Sequence, residues 1–145
     1  AAIDIHFASS SRLLLLCNDK RFLLSSKGEG SIVSEEKYMS SLLDSYSDND
    51  GYSVTLTSKF GSFGGYEVKN YSPDNSVNYV FETAGNITDI LCLGKKTYIL
   101  TDTEVIFVNS FGNESKRIKF ETAGLGMCLS GGKIYCYSLG TLYKG

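Results

Sequence analysis

The phrase Phe81-Glu82-Thr83-Ala84-Gly85 recurs further along the chain as Phe120-Glu121-Thr122-Ala123-Gly124. After each copy comes a short apolar run with a Cys, then a Gly near a Lys, then a second apolar run with a Tyr. Repeats spaced by about 20 to 50 residues mark supersecondary units that stack on one another. The sequence therefore predicts an architecture of similar units, each next to the one that follows it.

The composition favours strands over helices. Of the 145 residues, 42% are hydrophobic and 21% charged, as in a single globular domain. The ten Tyr and eight Phe suit half-buried pleated surfaces, and with one Pro among fifteen Gly the turns fall to Gly, Asn, Asp and Ser. Short apolar stretches alternate with these turn residues, so we expect an all-β fold.

Grouped in fours, the predicted strands give four-stranded antiparallel meanders at about 3–37, 38–86, 87–125 and 126–145, all within one domain. The last unit has room for only three strands. We favour a partial or small β-propeller, and a two-sheet sandwich or a barrel is the alternative.

One segment departs from the strand pattern. Tyr38, Met39, Leu42 and Leu43 have helical spacing, and a strand over 38–43 explains them equally well. The polar stretch 45–51 that follows is predicted to be a surface loop.

The four-stranded units resemble the blades of β-propeller proteins of the WD40 and kelch type. The best local match is Gly64-Gly65, followed by the turn Tyr71-Ser72-Pro73 and by Tyr79, which together resemble a kelch unit. The chain contains no Trp and so lacks the Trp-Asp ending of WD40 repeats, which leaves the subfamily unassigned. The resemblance implies a rigid scaffold whose loops and rims contact other proteins.

Charge and cysteine usage narrow the class of function. The net charge is −2 and the basic residues are scattered, which disfavours nucleic-acid binding. No apolar run approaches about 18 residues, so we expect no membrane insertion. The four Cys are too sparse for a disulfide scaffold; Cys92 and Cys128 lie in apolar runs and are predicted to be buried free thiols. We expect an intracellular protein, cytoplasmic or nuclear.

The sequence presents no catalytic constellation, and we expect neither a metal nor a cofactor. The only His is His6, which we expect at the surface or rim of the fold. The stretch from Asp44 to Gly51 matches a calcium loop poorly, because Tyr46 falls at the first ligand position and Thr57 where a Glu is required.

We therefore predict a non-catalytic protein–protein interaction module, a propeller-like scaffold or part of one in a larger assembly. Its partner is another protein or a second copy of itself. The predicted contact patch is aromatic and surrounds a Gly-rich turn: Phe60, Phe63, Tyr66 and Tyr71. Packing between blades is an alternative role for these residues. The alternative functions are a hydrolase using Asp and Glu groups and a structural protein that assembles through open sheet edges.

Overall fold

The computed structural model describes residues 1–59 and 64–145. In that part of the chain all regular secondary structure is strand, and no helix is long and apolar enough to cross a lipid bilayer. The strands form four sheets, which we number in chain order.

Sheet 1 contains β1 (Ala2–Ser9), β2 (Arg12–Cys17), β3 (Lys20–Ser25) and β4 (Ile32–Lys37). Sheet 2 contains β5 (Leu42–Ser47), β6 (Ser53–Ser58), β7 (Tyr66–Tyr71) and β8 (Val77–Thr83). Sheet 3 contains β9 (Ile87–Leu93), β10 (Lys96–Thr101), β11 (Glu104–Val108) and β12 (Glu114–Lys119). Sheet 4 contains β13 (Gly124–Ser130), β14 (Lys133–Ser138) and β15 (Thr141–Lys144).

Every sheet is an antiparallel meander in which neighbouring strands follow one another in the chain. The predicted all-β fold of propeller-like meanders is confirmed. The strand β1 pairs with β2, and within residues 1–59 and 64–145 no strand adds a fourth member to sheet 4. The four sheets therefore form an open arc that does not close on itself.

The sheets pack face to face, with the first strand of each sheet on the inside of the arc. The inner strand β9 lies against both β5 and β13. The junction between sheets 2 and 3 buries Val54, Leu56, Val68, Ile90, Cys92, Ile99, Ile106 and Val108. The junction between sheets 3 and 4 buries Leu91, Tyr98, Leu100, Val105, Met127, Ile134 and Cys136. The hydrophobic core is thus a series of junctions between neighbouring sheets.

The two copies of the repeated phrase lie at corresponding crossings but differ in register, because Phe81 belongs to β8 whereas Phe120 follows the end of β12. Each leads from the outermost strand of one sheet to the innermost strand of the next. Phe81 packs against the cluster between sheets 2 and 3, and Phe120 packs against the cluster between sheets 3 and 4. The phrase recurs because each crossing places one aromatic ring in the junction that it spans.

The segment 38–51 differs from both sequence-based expectations. The strand β5 covers Leu42–Ser47, so the helix alternative is wrong, the expected strand over 38–43 begins only at Leu42, and residues 45–47 of the expected surface loop are strand. The crossing that precedes it is held extended against the β2–β3 turn, because Tyr38 N–H donates to Asp19 O at 2.9 Å and Leu42 N–H donates to Asn18 O at 2.7 Å. Tyr46 then packs on the core clusters on both sides of sheet 3.

The turn between β5 and β6 docks on the end of β1. Gly51 in this turn has a φ of +85°, and a Cβ at this position would lie 1.9 Å from the carbonyl oxygen of Ala8. Only a residue without a side chain fits here, since both the backbone conformation and the space exclude a Cβ.

Replacing this glycine tests the contact between sheets 1 and 2. Gly51→Ala is expected to lower the free energy of unfolding by about 2–5 kcal/mol, through left-handed strain and displacement of the turn. The matched control is Gly131→Ala, where φ is +55° and nothing lies within 4 Å of the new Cβ. This control should cost only about 1 kcal/mol. Urea denaturation followed by circular dichroism measures both, and equal losses would contradict the docking of the turn on β1.

Candidate functional site

The predicted aromatic contact patch is only partly within the described structure. Phe60 and Phe63 lie outside the described residues. Tyr66, the first residue of β7, is half-buried against the core between sheets 2 and 3. Tyr71 has no exposed surface and lies in the junction between sheets 1 and 2. Its placement fits the alternative role of packing between sheets, and the patch as a whole stays a prediction.

The junction between sheets 1 and 2 contains a buried arginine. The Arg21 guanidinium lies 3.5 Å from the centroid of the Tyr71 ring and donates to Asn75 Oδ1 at 2.6 Å and to Ser53 Oγ at 2.8 Å. Burial lowers the pKa of Arg21, while the neighbouring Tyr71 opposes that shift. Tyr71 in turn donates its hydroxyl to Glu36 Oε1 at 3.1 Å. This cluster fixes how sheets 1 and 2 sit on each other.

Asp48 joins the inner turns of sheets 2 and 3. Its Oδ1 accepts the backbone N–H groups of Asp50 and Tyr52, each at 2.9 Å, and so closes the β5–β6 turn. Its Oδ2 accepts the N–H of Gly94, in the β9–β10 turn, at 2.7 Å. The carboxylate is therefore committed to three backbone donors and acts as a bridge between two sheets.

A cleft of about 400 Å³ opens where the inner turns of sheets 2, 3 and 4 meet. Its polar wall is Asp48–Asp50, its apolar side chains include Leu93 and Leu129, and Gly131–Gly132 form part of its edge. The volume falls in the range of small-ligand pockets. With Asp48 already bonded, the polar side chains that can meet a ligand or a partner are those of Tyr46, Asn49, Asp50 and Ser130.

Each inner strand carries a β-bulge near its start, and β1 has a second register shift at Ala8. The bulged residues are Ile3, Leu43, Thr88 and Leu125. The next residue is Asp4, Asp44, Asp89 and Gly126, respectively. In the three aspartates Oδ1 accepts the N–H of the following residue, at 2.8, 2.8 and 2.9 Å. This recurrence indicates that the carboxylates shape the bulge.

Asp44 and Asp89 lie near each other on neighbouring inner strands. Partial desolvation raises the pKa of Asp44. It also raises the pKa of Asp89, and the negative charge of Asp44 adds to that rise. Two carboxyls with raised pKa are what acid–base chemistry would use, so this pair is the best catalytic candidate in the described structure.

The remaining titratable groups form no further site. His6 Nε2 lies 2.7 Å from Asp4 Oδ2 on the same strand, and both side chains are partly exposed. Among residues 1–59 and 64–145, no three His, Cys, Asp or Glu side chains come together as a metal site requires.

Sheet 1 buries one face against sheet 2 and leaves the other uncovered. We call the uncovered side its free face. The side chains on this face form two rows of cross-strand neighbours, Ile5–Leu15–Phe22 and Phe7–Leu13–Leu24–Ile32. At the edges of the rows Ile5, Phe7 and Ile32 are 56%, 69% and 61% exposed. The second row spans all four strands, whereas the first ends on β4 at Glu35, so the free face of sheet 1 is apolar with a charged edge.

Sheet 4 also has a free face, on the side away from sheet 3. It carries the cross-strand rows Cys128–Tyr135–Lys144 and Tyr137–Leu142. The expectation that Cys128 is buried is wrong, because its thiol is exposed on this face, whereas Cys17, Cys92 and Cys136 are buried. Cys128 lies in an apolar run of β13, but its side chain points to a face that no other sheet of the described residues covers.

No protein-family model and no curated protein matches the chain. Solved structures with propeller-type folds do. Hsv2 of Kluyvelomyces marxianus gives a TM-score of 0.57 at 11% identity, over 93% of this chain and 44% of Hsv2. KlHsv2 with loop 6CD replaced by a Gly-Ser linker gives 0.58 at 10% identity, over 93% and 44%.

A protein of unknown function from Bacteroides caccae gives a TM-score of 0.59 at 9% identity, over 93% of this chain and 52% of that protein. The chain thus spans about half the length of these structures. At such identities the likeness concerns the fold alone. The fold is propeller-like, and the sheets of this chain form an arc of it.

The bridge made by Asp48 can be tested by comparing Asp48→Ala with Asp50→Ala. Asp48→Ala leaves three backbone N–H groups without their acceptor and should lower the free energy of unfolding by about 2–3 kcal/mol. Asp50→Ala removes the same charge two residues away and should change it by no more than about 0.5 kcal/mol. Chemical denaturation measures both, and similar values would show that the bridge contributes nothing.

The pKa of Asp89 predicts how stability depends on pH. Because its pKa is raised in the folded state, its contribution to stability is greatest at low pH and falls as pH rises through the folded pKa. Asp89→Asn keeps an acceptor for the Ile90 N–H but cannot ionise. Its Tm should equal that of the parent near pH 3 and exceed it by about 1–2 °C at pH 7.

Asp74 provides a control in which the pKa is shifted in the opposite direction. Hydrogen bonds from Ser76 lower the pKa of Asp74, so its contribution to stability is present above the unfolded pKa and is lost as pH falls. Asp74→Asn should therefore lose Tm relative to the parent as pH rises to 7. Thermal scans from pH 3 to 7 would contradict the assignment if both variants shifted in the same direction.

Proposed function

We propose that the chain is a non-catalytic protein-interaction module, a propeller scaffold that works inside a larger assembly. The observation that carries the proposal is the free face of sheet 1. Monomeric proteins seldom expose a contiguous apolar surface larger than a few hundred Å², and larger ones mark interaction sites. A two-row apolar face across four strands is of this kind.

Covering this face contributes free energy toward holding a partner. Full burial of an Ile or Phe side chain contributes about 1.5–3 kcal/mol. Ile5, Phe7 and Ile32 each keep more than half of their surface exposed, so their burial alone contributes about 4 kcal/mol. Burial of the half-buried residues of the two rows adds to this free energy. The entropic cost of association opposes it.

A hydrolase is the second candidate, and the Asp44–Asp89 pair is the observation that favours it. The hydrogen bonds of the same two residues weaken this candidate. Oδ1 of each residue is held by the next backbone N–H, in the geometry that Asp4 repeats in sheet 1. A motif that recurs in three sheets serves the bulge in each of them, so we rank the interaction module first.

The proposal is tested by placing a charge in the free face of sheet 1. Tagged chain is isolated from cells under native conditions, and native mass spectrometry gives the mass and composition of what it carries. We expect one stoichiometric complex, absent with Phe7→Asp and retained with Phe111→Asp. Phe111 is the control because it is 84% exposed in the β11–β12 turn, outside both rows. A chain that is isolated alone, or a complex that survives Phe7→Asp, would overturn the proposed function.

A further inference from the structure

A second cavity, of about 380 Å³, opens at the junction between sheets 1 and 2. Residues of the β1–β2 turn line it on one side, and residues of the β7–β8 turn line it on the other. We propose that this cavity binds a zwitterionic ligand with an apolar side chain, either an amino acid or a short peptide. The site lies between two sheets of the chain, so it goes beyond the proposed function, which concerns the free face of sheet 1.

The cation of the site is Arg12, the first residue of β2. Its Nη1 donates to Ser11 O at 3.5 Å, a distance at which a hydrogen bond is weak. In the described part of the chain Arg12 forms no ion pair. A guanidinium presents five N–H donors in a plane that matches a carboxylate. Arg12 therefore has free capacity to bind a carboxylate in the cavity.

The anion of the site is Asp74, in the turn between β7 and β8. Its Oδ1 accepts the backbone N–H of Ser76 at 3.0 Å and the Ser76 hydroxyl at 2.5 Å. These bonds lower the pKa of Asp74, so the carboxyl is ionised at neutral pH. They occupy one oxygen only, and within residues 1–59 and 64–145 nothing donates to Oδ2. Oδ2 is therefore open to an ammonium group.

Apolar side chains make up much of the remaining lining. Leu23 belongs to the buried cluster of sheet 1 and closes the cavity on that side. Val33 is the extra residue of a bulge in β4 and is 46% exposed, and Pro73 lies beside Asp74 in the opposite turn. An apolar side chain of a ligand would remove this surface from water, which favours binding.

The wall that carries Asp74 is held in place from sheet 1. The next residue, Asn75, has a φ of +72°, and its Oδ1 accepts the Nε–H of Arg21 at 2.6 Å. Its Nδ2 donates to Ser34 Oγ at 2.9 Å. A turn that is already fixed loses little freedom when a ligand binds, and this preorganisation favours affinity. The buried Arg21 thus positions the cavity as well as the two sheets.

Two opposite charges line one cavity without neutralising each other, and this decides the class of ligand. No ion pair joins Arg12 to Asp74 in the described residues. A ligand with only a carboxylate would meet Asp74 as a like charge, and one with only an amine would meet Arg12. A ligand with both groups satisfies both walls. The volume, at the lower end of the range for small-ligand pockets, suits an amino acid or a short peptide.

Blocked forms of one dipeptide test the two charged contacts. Leucyl-leucine is titrated into the isotope-labelled chain and followed by NMR. We expect saturable shifts at Arg12, Val33 and Asp74, with a dissociation constant of about 1 mM or tighter. Amidating the C-terminus should raise this constant about tenfold, as should acetylating the N-terminus, because each removes one charge-assisted hydrogen bond. Free leucine distinguishes the two sources of the ligand, since equal affinity indicates an amino acid and weaker affinity a peptide.

Variants assign each loss to its own side chain. Arg12→Gln should bind leucyl-leucine about tenfold more weakly and bind the amidated form as the parent does. Asp74→Asn should behave in the same way toward the acetylated form. Lys27→Gln is the matched control, because it removes a positive charge from the exposed β3–β4 turn, outside the cavity. Phe7→Asp, which tests the proposed function, should bind leucyl-leucine as the parent does, so the two proposals can fail separately.

Three results would overturn the inference. The first is a dissociation constant weaker than about 1 mM for every probe, and the second is a set of shifts that lie outside the cavity. The third is binding by the parent that neither amidation nor acetylation weakens. Circular dichroism identifies a variant that has not folded, and the response of the parent to the blocked dipeptides then decides, since it needs no substitution.

Discussion

Sheet 3 is apolar on both faces, and that constraint governs how its neighbours stack on it. A sheet with one polar face can rest against a single neighbour, as in a two-layer sandwich. Here sheet 3 buries Ile99 on one side and Leu100 on the other, so it needs a sheet on each side. Stacking along the arc covers both faces of sheets 2 and 3, whereas sheets 1 and 4 each have one face that no other sheet of the described residues covers.

Polar groups set the relative position of the sheets that apolar burial brings together. Hydrophobic contact is nondirectional, whereas a hydrogen bond across a junction specifies one alignment. Arg21 serves this purpose between sheets 1 and 2, and Asp48 between sheets 2 and 3. Asn70, also wholly buried, donates to Gly94 O and Thr97 Oγ1, each at 3.2 Å, across that second junction. Arg21 and Asn70 are buried, so water cannot replace their partners and their bonds favour a single alignment of the sheets.

The fold was more predictable than the site. The repeated phrase and the turn residues indicate meanders, since they report local geometry. The helical spacing at 38–43 misleads because hydrogen bonds to Asn18 and Asp19, distant in sequence, hold that crossing extended. Arg21 beside Lys20 looks like a solvated charge, and only the tertiary structure buries it. The bulge aspartates differ in their flanking residues and spacing, so no pattern in one sequence links them.

Gly126 stands where the other three inner strands have an aspartate, and the ring of Tyr137 occupies the space that a side chain would need, 2.6 Å from the position of a Cβ. At Asp44 and Asp89, on the inner strands of sheets 2 and 3, a carboxylate loses hydration where the adjoining sheet approaches. At this end of the arc an incoming sheet would meet carbon and a phenol instead.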